Sequence, residues 1–464
     1  MDKEKSARKD RLFYKQKNGY ELIDEKELEL AETYCKNYMT FLNSAKTERE
    51  AVFEGIKLAE ANGFVPYKTG MELKPGTKVY TSNRGKALML AVIGKKPLSE
   101  GSIIAAAHVD SPRLDLKQVP LYEDNNICYF KTHYYGGIKK YQWLTIPLEL
   151  HGVVALKSGE TVEICIGKDK SDPIFQITDL LPHLGKEQRK KSSDEFVPAE
   201  NLNLLVGTIP DKEDVSDRVK LAIMDLLNKK YGIAEEDFLS AELSAVPAYE
   251  ARESGLDRSL IAGYGHDDRV CAYAELAAIL EIGCPEKTAI CILADKEEIG
   301  SEGVSGMKSM AFERFVGDLC DSQNVKLSHC FAKSLCISAD VTNAFDPNYA
   351  DVSEKRNAAK VNYGMGICKY TGHGGKSDSS DASAELVARL RRIFSENKVV
   401  WQMAELGKVD QGGGGTVAMY MAERDIDTID AGVPVLSMHA PYETVAKFDC
   451  YMTYKGIKAV YAEK

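Results

Sequence analysis

Four short apolar runs, each closing on a histidine or a carboxylate, constrain this chain more than any other feature. Ile103-Ile-Ala-Ala-Ala runs into His108-Val-Asp110, and Ala289-Ile-Cys-Ile-Leu-Ala into Asp295-Lys-Glu297-Glu298. Leu335-Cys-Ile-Ser-Ala ends at Asp340, and Val433-Pro-Val-Leu-Ser-Met at His439. A wholly apolar run of this length is the mark of a strand buried on both faces. Helical patterns separate the runs, as at 270–280, so the expected fold class is α/β: a mixed, mostly parallel sheet sandwiched by helices. Ligands in such folds gather outside the carboxyl ends of the strands, where these polar residues fall.

Length and local signals divide the chain. Its 464 residues suffice for two to four domains. Over 25–44, Leu28, Leu30, Tyr34, Tyr38 and Phe41 recur at helical spacing. Thr47-Glu-Arg-Glu50 reads as a capping box opening a second helix that stops near Gly63. A hairpin is expected from Lys78 to Ile93, turning at Asn83-Arg-Gly, and a last helix near Pro441. From about 112 to 248 the pattern changes to short strand-like runs and polar loops, with a charge-rich stretch over 185–194. This region reads as a second, β-rich domain (112–248) inserted into a first domain made of 1–111 and 249–464.

Several function classes are disfavoured. The net charge of −10, with no basic stripe, is a poor basis for binding nucleic acid. No apolar run is long enough for a membrane span. The charged start, Met1-Asp-Lys-Glu-Lys, lacks the apolar core of a signal peptide. Eleven scattered cysteines without a Cys-x-x-Cys pair suggest a reducing, cytoplasmic setting rather than disulfides or a thiolate metal site. There is no His-Glu-x-x-His and no Gly-x-Ser-x-Gly, so neither a helix-borne zinc site nor a serine nucleophile is supported.

Taken singly, each polar strand end has an ordinary explanation. A histidine after a strand is commonly structural, Glu-Glu is commonly solvated, Asp340 could open a turn, and Asp267-Asp268 could cap a helix. Together they hold two imidazoles and several carboxylates, a nitrogen–oxygen donor set suited to zinc, cobalt or manganese. Two cations ~3.5–4 Å apart need a shared carboxylate and separate terminal ligands, which this inventory allows. It also leaves one acid spare. On extended backbone, Glu297 and Glu298 would point to opposite sides, one to ligate and the other to serve as base.

His108-Val-Asp-Ser-Pro112, the Asp267 pair, Glu297-Glu-Ile-Gly-Ser-Glu302, Ser338-Ala-Asp340 and Met438-His439 resemble, in order and spacing, the signatures of the aspartyl aminopeptidase and vacuolar aminopeptidase I family of di-metal aminopeptidases. The resemblance implies a zinc exopeptidase-like fold in which the insert makes dimer contacts, and removal of amino-terminal residues from peptide substrates. It implies two divalent ions per subunit, Asp267 bridging them, with His108 and Asp340 on one and Glu298 and His439 on the other. Glu297 would be the general base, and Asp110 would hydrogen-bond the far nitrogen of His108. It further implies a homododecamer built from dimers, with His183 (in Leu181-Pro-His-Leu184) reaching a neighbouring active site. The Gly412–Thr416 loop corresponds to the family's Gly-Thr turn, making Gly414 a candidate for substrate contact.

The acid-specific branch of that family carries two histidines where this chain has Asn343 and Asp346, which favours neutral or broad side-chain preference. Lys376, in Gly374-Gly-Lys-Ser377, is a candidate for substrate carbonyl or carboxylate; Tyr370 stands where a phosphate loop needs its leading glycine. His133, His151, His266, His329 and His373 are expected to be structural, although His266 adjoins Asp267. The alternatives are another di-metal hydrolase on the same scaffold (a carboxypeptidase or N-deacylase) and a non-catalytic assembly protein.

Overall fold

A computed structural model describes residues 8–9, 11–213 and 215–464. The charged start at 1–5 lies outside them. A nine-stranded sheet organises the fold. Its order is Val65–Pro66, Lys78–Asn83, Ala87–Val92, Thr288–Ala294, Ser102–His108, Leu335–Ser338, Asp427–Gly432, Met365–Cys368 and Trp401–Met403. The four strands from Thr288–Ala294 to Asp427–Gly432 run parallel in the middle, and antiparallel pairs flank them. Three of the four apolar runs are therefore central strands, and they end side by side.

Both faces of the sheet are covered, as alternation along the strands requires. Leu88, Leu90, Ile103, Ala105, Cys291 and Leu293 pack beneath the helices Glu25–Ser44, Glu48–Ala61, His266–Leu280 and Lys447–Tyr461. Their neighbours Met89, Ala91, Ile104, Ala106, Ile290 and Ile292 face the helix Ala311–Asp321 on the other side. Within Glu25–Ser44, Tyr34, Tyr38 and Phe41 are buried, but Leu28 and Leu30 are exposed; Ala31, Cys35 and Leu42 complete the inward stripe.

The capping box at Thr47 forms as expected. Glu50 caps the helix with one oxygen and accepts from His151 with the other, at 2.8 Å. Gly63, at φ +84°, follows the helix end in the left-handed region that favours glycine. The hairpin at Lys78 also forms, pairing Lys78–Asn83 with Ala87–Val92.

A six-stranded antiparallel sheet takes all its strands from residues 113–247 and has its own core around Leu114, Phe130, Trp143, Leu150 and Phe238. A third sheet, of five strands, corrects two expectations. Val433–Met438 is not a strand of the main sheet; its Pro434–Leu436 pairs with Glu443–Ala446 in this smaller sheet. The segment after Pro441 is that second strand, so the last helix begins at Lys447, after extended backbone at Ala446.

Candidate metal centre

The small sheet brings the separated ligand candidates together. Leu260–Gly263 leads into Asp267, Pro434–Leu436 leads into His439, and Asp340 stands just before Thr342–Asn343. All three strands belong to that sheet, which sits against the ends of the parallel strands carrying His108 and Glu297.

Two clusters share one carboxylate. His108, Asp267 and Asp340 place ligand atoms within 4.8 Å of one another, and so do Asp267, Glu298 and His439. Oδ1 of Asp267 lies 3.3 Å from Nε2 of His108, and Oδ2 lies 3.1 Å from Nε2 of His439. Glu297 belongs to neither cluster but reaches within 3.8 Å of His108 Nε2. Asp267 and Asp268 are joined by a cis peptide bond. Glu297 and Glu298 do not lie on extended backbone. They form a 3₁₀ turn between Lys296 and Gly300, both at positive φ, and that turn separates their side chains.

Asp110, Tyr135 and Glu443, which support this cluster, are buried. His108 Nδ1 is 3.0 Å from the Asp110 carbonyl oxygen and 3.3 Å from its carboxylate. The same carboxylate accepts the backbone N–H groups of Glu297 and Glu298 and the hydroxyl of Tyr135. His439 Nδ1 lies 2.7 Å from the carbonyl oxygen of Gly137. Glu443 accepts from the backbone N–H of both Asp267 and His439, tying the two ligand segments together. Sequence reasoning missed Tyr135, Gly137 and Glu443; the glycine pair just past a strand was the available signal for the first two.

The electrostatics suit cations. Burial raises the carboxyl groups of Asp340 and Glu298 well above their usual range, and neighbouring carboxylates add to it. Burial lifts Glu297 to about 7. Burial would also lift Asp267, but the two imidazoles outweigh it and hold that carboxyl below its usual value. Oε1 of Glu298 is buried without a hydrogen-bond partner. So many acids on one spot, one of them with an idle oxygen, fit a site made for divalent ions.

A cavity of about 330 Å³ opens on the cluster. Its walls include Val341, Thr342, Leu406, Met438, the Gly413–Gly415 backbone and Asp430; among the described residues the lining holds no lysine or arginine. Gly414, the candidate for substrate contact, lines the cavity. Lys376 is not: its Nζ pairs with Asp381 at 3.2 Å and lies 3.9 Å from the Tyr370 ring centre. His183 sits on an exposed loop away from the lining. Asn343 and Asp346 also stand off it, and Asp346 caps a 3₁₀ turn by accepting from Asn348. His266 is buried with Nδ1 2.6 Å from the Tyr38 hydroxyl, a structural pairing.

Residues 41–461 match the family model described as aminopeptidase I zinc metalloprotease (M18). The chain belongs to that family. It is 50% identical over 457 residues to a probable M18 family aminopeptidase 1 of Clostridium acetobutylicum, covering 97% of this chain and 98% of that protein. An M18 family aminopeptidase from Thermotoga maritima has a crystal structure that superposes with a TM-score of 0.93 at 44% identity, covering 97% of this chain and all of that one. The S. cerevisiae mApe1 dodecamer, 19% identical, shares the fold with a TM-score of 0.74 over 93% of this chain and 96% of its own. The protein is thus a metallo-aminopeptidase of mixed α/β architecture. No helix among the described residues is long and apolar enough to cross a membrane.

Proposed function

We propose that this M18 metallo-aminopeptidase hydrolyses the first peptide bond of its substrates at the Asp267-centred cluster, with Glu297 as general base. The observation that carries this reading is the single buried carboxylate shared by two imidazoles at the floor of a cavity. His108 and Asp340 would hold one divalent ion, Glu298 and His439 the other, and Asp267 both. Zinc fits the donor set and the family description, and cobalt or manganese suits the same ligands. When bound, such ions would supply Lewis acidity, lowering the pKa of water towards neutrality and polarising the scissile carbonyl. Glu297 takes the water's proton as the new C–O bond forms. It returns that proton to the amide nitrogen as the C–N bond breaks, leaving a free amino acid and a shortened peptide. Asp110 keeps His108 and the Glu297–Glu298 turn in place throughout. The carboxylates around the cavity receive the substrate's α-amino group.

A wall with apolar and hydroxyl groups, the Asp430 carboxylate and, among the described residues, no lysine or arginine favours neutral or broad preference at the first residue over an acidic one. The yeast relative's dodecamer and the exposed Leu181 and Leu184 beside His183 support assembly into a homododecamer, with that loop packed against another subunit. Eleven free cysteines accord with a cytoplasmic setting.

Metal analysis combined with a panel of aminoacyl substrates tests the reading. Two divalent ions per chain are expected, with cleavage of free-amine leucyl or alanyl substrates exceeding aspartyl ones, and none of N-acylated counterparts. Cleavage of the acylated panel would overturn the aminopeptidase mechanism. Preference for aspartyl substrates would overturn the specificity.

A further inference from the structure

We propose that Tyr135-Gly136-Gly137, at the end of the strand Ile127–Tyr135, is the positioning element of both ion sites, so that the six-stranded sheet sets the metal centre of the nine-stranded one. The inference rests on the Asp267-centred reading above and extends it to residues outside the ligand set.

Three consecutive residues reach three different parts of the centre. The Tyr135 hydroxyl donates to Asp110 Oδ2 at 2.8 Å, and Asp110 in turn faces His108 Nδ1 and holds the Glu297 and Glu298 backbone. The Tyr135 ring is itself fixed: the Arg113 guanidinium lies 4.0 Å from its centre, and Arg113 is anchored by Glu48 and Asp115. Gly136, at φ +73°, lies so close to Glu298 that an added Cβ would stand 3.0 Å from Oε2 and 3.3 Å from the Glu298 Cβ. The Gly137 carbonyl accepts from His439 Nδ1 at 2.7 Å, which leaves Nε2 bare and pointed at Asp267. A histidine ligand needs its second nitrogen held in this way, because that bond fixes both the tautomer and the ring plane.

The tripeptide thus acts by two routes: Tyr135 through Asp110, whose carboxylate faces His108 directly and meets the second site only at the Glu298 backbone, and Gly136 and Gly137 through direct contact with Glu298 and His439. A structural link alone would not predict that division. Tyr135→Phe should weaken the site built on His108, and Gly136→Ala the site built on Glu298 and His439.

Calorimetric titration of zinc into the ion-free protein reads this without recourse to activity. Wild type should bind in two steps. Tyr135→Phe should weaken one step by about tenfold or more and the other by clearly less. Gly136→Ala should weaken the opposite step by a similar factor. Tyr134→Phe, at an exposed neighbouring ring, should leave both unchanged. Circular dichroism of the ion-free variants should match wild type. Wild-type affinities at both steps in Tyr135→Phe would overturn the inference while leaving the aminopeptidase reading intact. Equal weakening of both steps by both variants would overturn the division of roles. A wild-type protein binding no zinc would remove the underlying reading as well.

Discussion

A Glu297→Gln variant is expected to lose roughly 10²–10⁴-fold in turnover while keeping its full complement of divalent ions. The amide has the shape of the carboxylate but cannot accept a proton, so the step that fails is chemical. Two features keep the rest of the site in place. The backbone N–H of residue 297 still donates to Asp110 Oδ1 at 3.1 Å, which anchors the turn. The side chain belongs to neither ion cluster, so no ligand is withdrawn. The loss should appear in kcat with KM little moved, because only the transition state uses this group. Steady-state kinetics on a leucyl substrate, with elemental analysis of the same sample, makes the check. A variant with wild-type turnover would show that the base lies elsewhere; one that had lost its ions would show that Glu297 is a ligand.

The position of that glutamate also illustrates how a parallel sheet advertises a candidate site. A strand buried on both faces must be apolar along its length, so the first polar residue after it marks the place where the chain meets a cavity. His108, Glu297 and Asp340 were legible for that reason. His439 was legible for a different one: its apolar run is real, but it lies in the small sheet, where Val435 and Val445 pair across an antiparallel ladder. An apolar run reports burial and says little about which sheet does the burying.

Other parts of the site left weaker traces. Gly137 contributes a carbonyl oxygen, which every residue type possesses, so the glycine pair marks the turn there but not the role. Tyr135 acts through Asp110 across the join between two sheets, a relation that exists only after folding. Glu443 was hidden because proline at 441 suits the start of a helix as well as the approach to a strand. Asp430 sits within the central strand Asp427–Gly432, where its neighbours Ile429 and Ala431 are buried core. Its carboxyl is fixed by Ser338 and by Thr416 of the glycine loop, and burial raises it to about 6. An acid flanked by Ile429 and Ala431 was the available signal there. The Glu297–Glu298 geometry was misjudged because local sequence does not show that Lys296 and Gly300 both adopt positive φ and close a tight turn.

Asp267→Ala should strip both ions at once, and with them essentially all activity. Each cluster contains three ligand residues, and Asp267 is the one they have in common. Removing it leaves His108 and Asp340 on one side and Glu298 and His439 on the other, two ligands each, where catalytic zinc sites use three from the protein. Asp340→Ala and Glu298→Ala should instead each impair one ion more than the other, which makes the double loss diagnostic of a bridge. The fold should survive. Without the carboxylate both imidazoles can be neutral, His108 still donating to the Asp110 carbonyl and His439 to that of Gly137, so no charge is left buried without a partner. Elemental analysis after gel filtration, with circular dichroism on the same fraction, reads the result. Full occupancy in Asp267→Ala would refute the shared ligand. Loss of a single ion would assign Asp267 to one site and require another carboxylate, with Asp268 and Glu443 among the buried candidates, to complete the other.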